Sequence, residues 1–196
     1  MRKISVVNYL TLDGVMQSPA GKDEDPSGGF EDGGWVQPYL DEVWGRVAGE
    51  GMGETDALLF GRRTYQKMEA HWPNQPEDDP IASMMNRSTK YVVSKTLDEV
   101  TWQNSVLIKG DAAAEITAIK EGPGKGITVL GSGELLKTLI AESLIDEYKL
   151  VLYPLVLGNG KRMFKDGGPK TKLELVDSMP TSTGGMILTY RPAKQE

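Results

Sequence analysis

Two short apolar runs constrain this chain more than any other feature. Residues 56–60 (DALLF) and 127–130 (ITVL) are continuously apolar or β-branched after their first residue, and each is stopped by glycine, Gly61 and Gly131. Neither alternates between apolar and polar, so neither reads as a strand with one wet face. Such runs are expected in strands buried on both sides, which places them in a parallel sheet covered by helices. A helical pattern follows each stop, at residues 62–69 after Gly61 and at 134–144 after Gly131-Ser132-Gly133.

The remaining elements follow the same alternation. Residues 4–10 (ISVVNYL) predict a first strand, closed by the turn pair Asp13-Gly14. Residues 17–34 are too rich in glycine, proline and acid to pack and predict a long loop, whose acidic run Lys22-Asp23-Glu24-Asp25 is either a solvated tip or a lid. Apolar residues at 36, 39, 40, 43, 44 and 47 predict a helix over 36–47. Residues 71–80 carry three prolines and read as loop, followed by a helix over 81–87. Short strands are expected at 91–93 and 106–108, and a helix at 112–121 ended by Gly122-Pro123-Gly124. A strand at 148–157 leads to a Gly158-Asn159-Gly160 turn, and strands at 172–178 and 185–191 close the chain. Strands alone fill the last fifty residues, so the expected fold is α/β: a mixed, mostly parallel sheet in three layers with an antiparallel C-terminal edge. The 196 residues are enough for one core, and no linker or repeat divides them, so residues 1–196 are expected to form a single domain.

Composition removes several classes of function. There is no cysteine and one histidine, His71, which excludes disulfides, thiolate chemistry and a histidine-rich metal cluster, so no metal is expected. The net charge of −6 argues against a nucleic-acid partner held by phosphate neutralisation. No run approaches the ~18 apolar residues of a membrane span, and the short N-terminal apolar run is not a signal peptide, so the expected setting is the cytoplasm. An acidic protein still holds an anionic cofactor if local cations and backbone amides are aimed at it.

Three turns qualify. Gly61-Arg62-Arg63-Thr64 ends a buried strand and opens a helix, with two guanidinium groups suited to phosphate. Gly131-Ser132-Gly133-Glu134-Leu135 repeats the arrangement, although Leu136 replaces the last glycine of a full G-x-G-x-x-G. Ser94-Lys95-Thr96 sets a hydroxyl and a cation at the end of YVV. Read alone, each is also readable as a plain turn, Ser94-Lys95-Thr96 most of all; together they mark the carboxyl ends of strands, where ligands of open α/β sheets collect.

The ordered set TLDG (11–14), LLFGRRTY (58–65), YVVSKT (91–96), VLGSGELL (129–136) and LIDEYKLVLYPLVLGNGKRMF (144–164) resembles the dihydrofolate reductase superfamily. It is most similar to the reductase domain of the bifunctional riboflavin-biosynthesis deaminase–reductase and its stand-alone relatives. The resemblance covers nearly the whole chain. It implies a dihydrofolate-reductase-like fold, NADPH as cofactor, and hydride delivery to a small pterin, pyrimidine or sugar-derived substrate. By position, residues 61–64 and 131–135 would hold the cofactor phosphates, Ser94 and Lys95 the adenosine side, and Asp13 and Gly14 the nicotinamide end. Asp41, or its neighbour Glu42, would stand where the superfamily carries its proton-assisting carboxylate. Trp35 is a candidate for stacking on the substrate, and Trp44 for the core. His71 reads as a solvated histidine or a general acid. A homodimer is implied as well. A nucleotide-binding module or sensor without turnover, and a flavin enzyme on the same fold, are the competing readings.

Overall fold

The computed structural model describes residues 1–43, 45, 53–164 and 166–193. Eight strands form one sheet: β1 (Ile4–Thr11), β2 (Thr55–Gly61), β3 (Thr89–Val93), β4 (Ser105–Ile108), β5 (Gly126–Leu130), β6 (Glu147–Tyr153), β7 (Leu173–Pro180) and β8 (Met186–Pro192). Their order is β4-β3-β2-β5-β1-β6-β8-β7. The β6–β8 and β7–β8 pairings are antiparallel and the others parallel, as expected of a mixed sheet with an antiparallel end.

The four helices described in full are α1 (Arg62–His71), α2 (Pro80–Arg87), α3 (Ala112–Glu121) and α4 (Gly133–Ala141). They cover both faces. Ala57 and Leu59 of β2 join Ile116 of α3 and Leu136 and Leu139 of α4 in one core. Leu58 and Phe60 point the other way, to Tyr65 of α1 and Met84 and Met85 of α2. Burial on both faces is why this strand shows no polar alternation. No helix among the described residues is long and apolar enough to cross a membrane.

The segment expected as a helix over 36–47 is different. A 3-10 turn spans Gln37–Tyr39, and Leu40 then leaves helical space at φ −66°, ψ 132°. Helical geometry resumes only at residue 42; Trp44 and residues 46–47 lie outside the described residues. Pro38 supplies no amide to a helix. The apolar side chains instead pack onto the sheet, where Trp35 and Val36 are buried with Val151, Tyr153 and Ile187. Two smaller corrections have local causes. The expected strand 148–157 ends at Tyr153, before Pro154, which has no amide for the ladder. The expected loop 71–80 contains the last residue of α1, a 3-10 turn Trp72–Asn74 and the start of α2.

The loop over 17–34 is knitted down. Gln17 is buried, and its Nε2 donates to the carbonyls of Asp25 (2.7 Å) and Ser27 (2.9 Å). Lys161 Nζ, arriving from beyond β6, pairs with Asp25 Oδ2 at 2.5 Å and Ser27 Oγ at 2.5 Å. Burial pushes the Asp25 pKa up, but the Lys161 ammonium and the Ser27 hydroxyl outweigh it and the net movement is down. Across from it, Lys67 of α1 donates to the Asp23 carbonyl at 3.1 Å. The acidic run is thus fastened at both sides.

Candidate functional site

The site is set by the adjacency of β2 and β5. Their parallel register pairs Leu58 with Thr128 and Leu59 with Val129, so Gly61 and Gly131 emerge side by side at the carboxyl edge. Gly61 donates its amide to Ser132 Oγ at 2.8 Å, and Ser132 Oγ bonds Thr64 Oγ1 at 2.9 Å. The two expected turns therefore form one bracket. Gly131 stands at φ +59°, a conformation open to glycine.

The helix starts at this bracket differ from the other two. Asp79 caps α2 by accepting from the Ile81 and Ala82 amides, and Asp111 caps α3 through the Ala114 amide. Helices α1 and α4 begin at Gly61 and Ser132 with no side-chain cap. First-turn amides have no partner inside a helix, and the positive end of the dipole gathers there. Two uncapped helix starts thus converge on one place.

A single cleft takes in Gly61, Arg62, Arg63, Thr64, Ser94, Lys95 and residues 131–135. It encloses about 1810 Å³ between described residues and runs on to Lys3 and Glu147 at the opposite ends of the strands, so only its carboxyl-edge part belongs to the turns. Arg62, Arg63 and Lys95 are exposed, and their side chains form no hydrogen bond or ion pair with any described residue. Lys3, Lys120, Lys161 and Arg191, by contrast, are each paired with a carboxylate. Three uncommitted cations and two uncapped helix ends suit an extended anion. Uncapped amides beside a glycine in left-handed backbone are the fit expected of a dinucleotide's phosphates.

Other expected site residues stand elsewhere. Ser94 lines the cleft, but its Oγ accepts from the Thr96 (3.2 Å) and Leu97 (3.0 Å) amides, leaving Lys95 as the side chain free to reach outward. Asp13 and Gly14 do not line it. Asp13 accepts from the Thr11 hydroxyl (2.6 Å), the Gly158 amide (2.9 Å) and the Leu157 amide (3.2 Å). The Thr11 hydroxyl first, then these amides, hold its carboxyl at about 2 against the opposing effect of burial. It clamps the 157–158 turn.

Trp35 is also corrected: it is 7% exposed, donates Nε1 to the Gln17 carbonyl at 2.8 Å and meets Tyr153 edge-on at 6.0 Å. A ring so enclosed has no free face for a substrate. Asp41 accepts from the amide (2.7 Å) and hydroxyl (2.8 Å) of Ser182 in the β7–β8 connection, and does not line the cleft. Glu42 is exposed. His71 is exposed at the end of α1, edge-on to Trp72 at 4.9 Å, in keeping with the solvated reading.

One contributor was not anticipated. Asn8 is buried in β1, and its Oδ1 accepts the Gly131 amide at 3.0 Å, fixing the glycine turn from below. A polar residue at an inward position of an apolar strand was its signal.

This is an open-sheet α/β fold of the dihydrofolate-reductase-like class. The family model of the RibD C-terminal domain matches residues 2–187, and the chain belongs to that family. It is 28% identical over 196 residues to the uncharacterized protein YyaP of Bacillus subtilis (strain 168), covering 96% of this chain and 94% of that protein. Among solved structures it is similar to a pyrimidine reductase-like protein from Corynebacterium diphtheriae NCTC, with a TM-score of 0.68, 12% identity, and coverage of 99% and 93% of the two chains. Dihydrofolate reductase from Enterococcus faecalis, complexed with NADP(H) and RAB-propyl, aligns with a TM-score of 0.63, 16% identity, and coverage of 98% and 97%.

Proposed function

We propose that this chain is an NADPH-dependent reductase acting on a small heterocyclic or carbonyl substrate of the riboflavin-precursor pyrimidine or pterin type. The observation that carries the reading is the pair of uncapped helix starts fastened together at Gly61 and Ser132, within a cleft rimmed by Arg62, Arg63 and Lys95. Membership of the RibD C-terminal domain family supports the reductase class.

The first-turn amides of α1 and α4 would take the cofactor phosphates, with Gly131 and Gly133 letting the backbone come close. Arg62 and Arg63 would add charge at the phosphates, and Lys95 would answer the additional phosphate that separates NADPH from NADH. The cofactor, when bound, supplies the hydride. The protein's share is preorganisation: it fixes the reacting carbons and excludes water, while water or one acid delivers the proton. The chain is proposed to work in the cytoplasm as a homodimer.

Fluorescence titration tests this. NADPH is expected to bind saturably at micromolar concentration and more tightly than NADH, with Lys95→Ala narrowing that difference by roughly tenfold. No saturable NADPH binding refutes the proposal. One observation favours a module that binds the nucleotide without turnover: Asp41, the carboxylate expected to assist protonation, is committed to Ser182. NADPH binding without oxidation across pterins, pyrimidines and carbonyl compounds is the result that reading expects.

A further inference from the structure

Ser132 stands in left-handed backbone, φ +64°, ψ +59°, where a side chain is disfavoured and glycine is at ease. The glycines on either side make a third glycine the simple choice, so the serine calls for a reason. Its hydroxyl supplies one. An amide can only donate, so the Gly61 amide at 2.8 Å occupies an acceptor lone pair of Ser132 Oγ. That leaves the single hydroxyl proton of Ser132 for either Thr64 Oγ1 at 2.9 Å or the Leu130 carbonyl at 3.4 Å. The shorter contact decides, and Ser132 donates to Thr64.

Thr64 is then an acceptor from Ser132, and its own proton turns elsewhere. Thr64 is half-buried and lines the cleft, and its hydroxyl donates no hydrogen bond to another described residue. We propose that Gly61, Ser132 and Thr64 form a directed hydrogen-bond chain whose last proton is presented by Thr64 to an anionic oxygen in the cleft, with Ser132 as the positioning residue that sets its direction.

The chain resembles a capping box divided between two segments. In the usual form, a side chain three residues into the helix reaches back to the amide of the N-cap. Here Gly61 is the N-cap of α1 and Thr64 is its third residue, and the hydroxyl joining them comes from the turn before α4. Each bond in such a chain polarises the next, so the outer hydroxyl is a stronger donor than an isolated threonine. The chain also makes the starts of α1 and α4 one rigid unit, which matters for a ligand whose phosphates touch both. The inference rests on the proposed nucleotide site for its ligand, and on the hydrogen bonds alone for its direction.

The test uses NADPH titration of the full chain together with amide hydrogen exchange at Gly61. Thr64→Val is expected to weaken NADPH binding about tenfold, as a lost bond to a charged oxygen does. Thr64→Ser is expected to restore binding to within about twofold of wild type, because it keeps the donor. Ser132→Gly suits the left-handed backbone and is expected to fold, yet to lose most of the same affinity. The double variant Ser132→Gly/Thr64→Val is expected to bind no more weakly than Thr64→Val, since both changes break one chain. Gly61 is expected to exchange slowly in the free wild-type protein and faster in Ser132→Gly, whether or not a nucleotide binds.

Unchanged affinity in Thr64→Val, or additive losses in the double variant, overturns the proposal. Equal Gly61 exchange in wild type and Ser132→Gly overturns the chain itself. Wild-type protein that protects Gly61 but takes up no NADPH overturns the reductase reading, and with it the ligand end of the chain.

Discussion

Asp13 offers the sharpest check on where the site ends. The resemblance set it beside the nicotinamide, whereas the structure commits its carboxylate to Thr11, Leu157 and Gly158. Its pKa falls from the ordinary 3.8 to about 2. At about 1.4 kcal/mol per pKa unit, that difference corresponds to about 2.5 kcal/mol of stabilisation at neutral pH. The side chain is 19% exposed, so solvent trims the figure to about 1–2 kcal/mol. The sign is fixed: the folded pKa is the depressed one, so the contribution is complete above the unfolded value near 4. It is lost as the pH falls through 2, with about half gone by pH 3. Asp13→Asn keeps the size and removes the charge. Urea unfolding of wild type and variant at pH 7 and pH 3 is expected to show a gap of about 1–2 kcal/mol that shrinks by about half at the lower pH. A gap below about 0.5 kcal/mol at pH 7, or one that does not change with pH, refutes the assignment of Asp13 as a clamp.

Two further outcomes follow from the packing. Trp35→Phe removes the bond to the Gln17 carbonyl and leaves space beside Tyr153, so unfolding free energy is expected to drop by about 1–2 kcal/mol in urea; a variant as stable as wild type contradicts a core role. Lys90 is fully buried, with Nζ on the carbonyls of Met85 (3.0 Å) and Asn86 (2.9 Å) and over the Trp102 ring, and burial lowers its pKa from 10.5 to about 8. Between those values the unfolded chain binds more protons than the folded one, so stability rises with pH across the window. Lys90→Met is expected to flatten that rise in unfolding curves taken at pH 8, 9 and 10, and parallel profiles would count against it.

How much of this was legible in the sequence depended on the range of the forces involved. Leu58, Leu59 and Phe60 showed a doubly buried strand because consecutive side chains take opposite faces and all three are apolar, a purely local signal. The segment after Gly34 misled for a related reason. Helical spacing of apolar residues says only that they share a side, and here Trp35, Val36 and Tyr39 face the sheet from a 3-10 turn and its approach. Asp13 was recognised as special but not explained, because beyond the neighbouring Thr11 its partners Leu157 and Gly158 lie 144 and 145 residues away. Asp41 is the same case, bonded to Ser182 across 141 residues. A carboxylate after a strand looks alike in sequence whether it meets a ligand or a distant turn.

The two glycine turns were found by local signs, but their joint action was not. In Gly131-Ser132-Gly133 the serine carried no signal of its own, since it fills the unrestricted middle position of a G-x-G turn. Its partners, Gly61 and Thr64, lie 71 and 68 residues earlier, and only the parallel pairing of β2 with β5 brings them within reach. A glycine at 132 would suit the backbone better and would leave the Gly61 amide and the Thr64 hydroxyl without their partner. A side chain kept in left-handed backbone is therefore evidence that its hydroxyl is needed there. The place it serves is the junction of two helix starts, where an anion would bridge both.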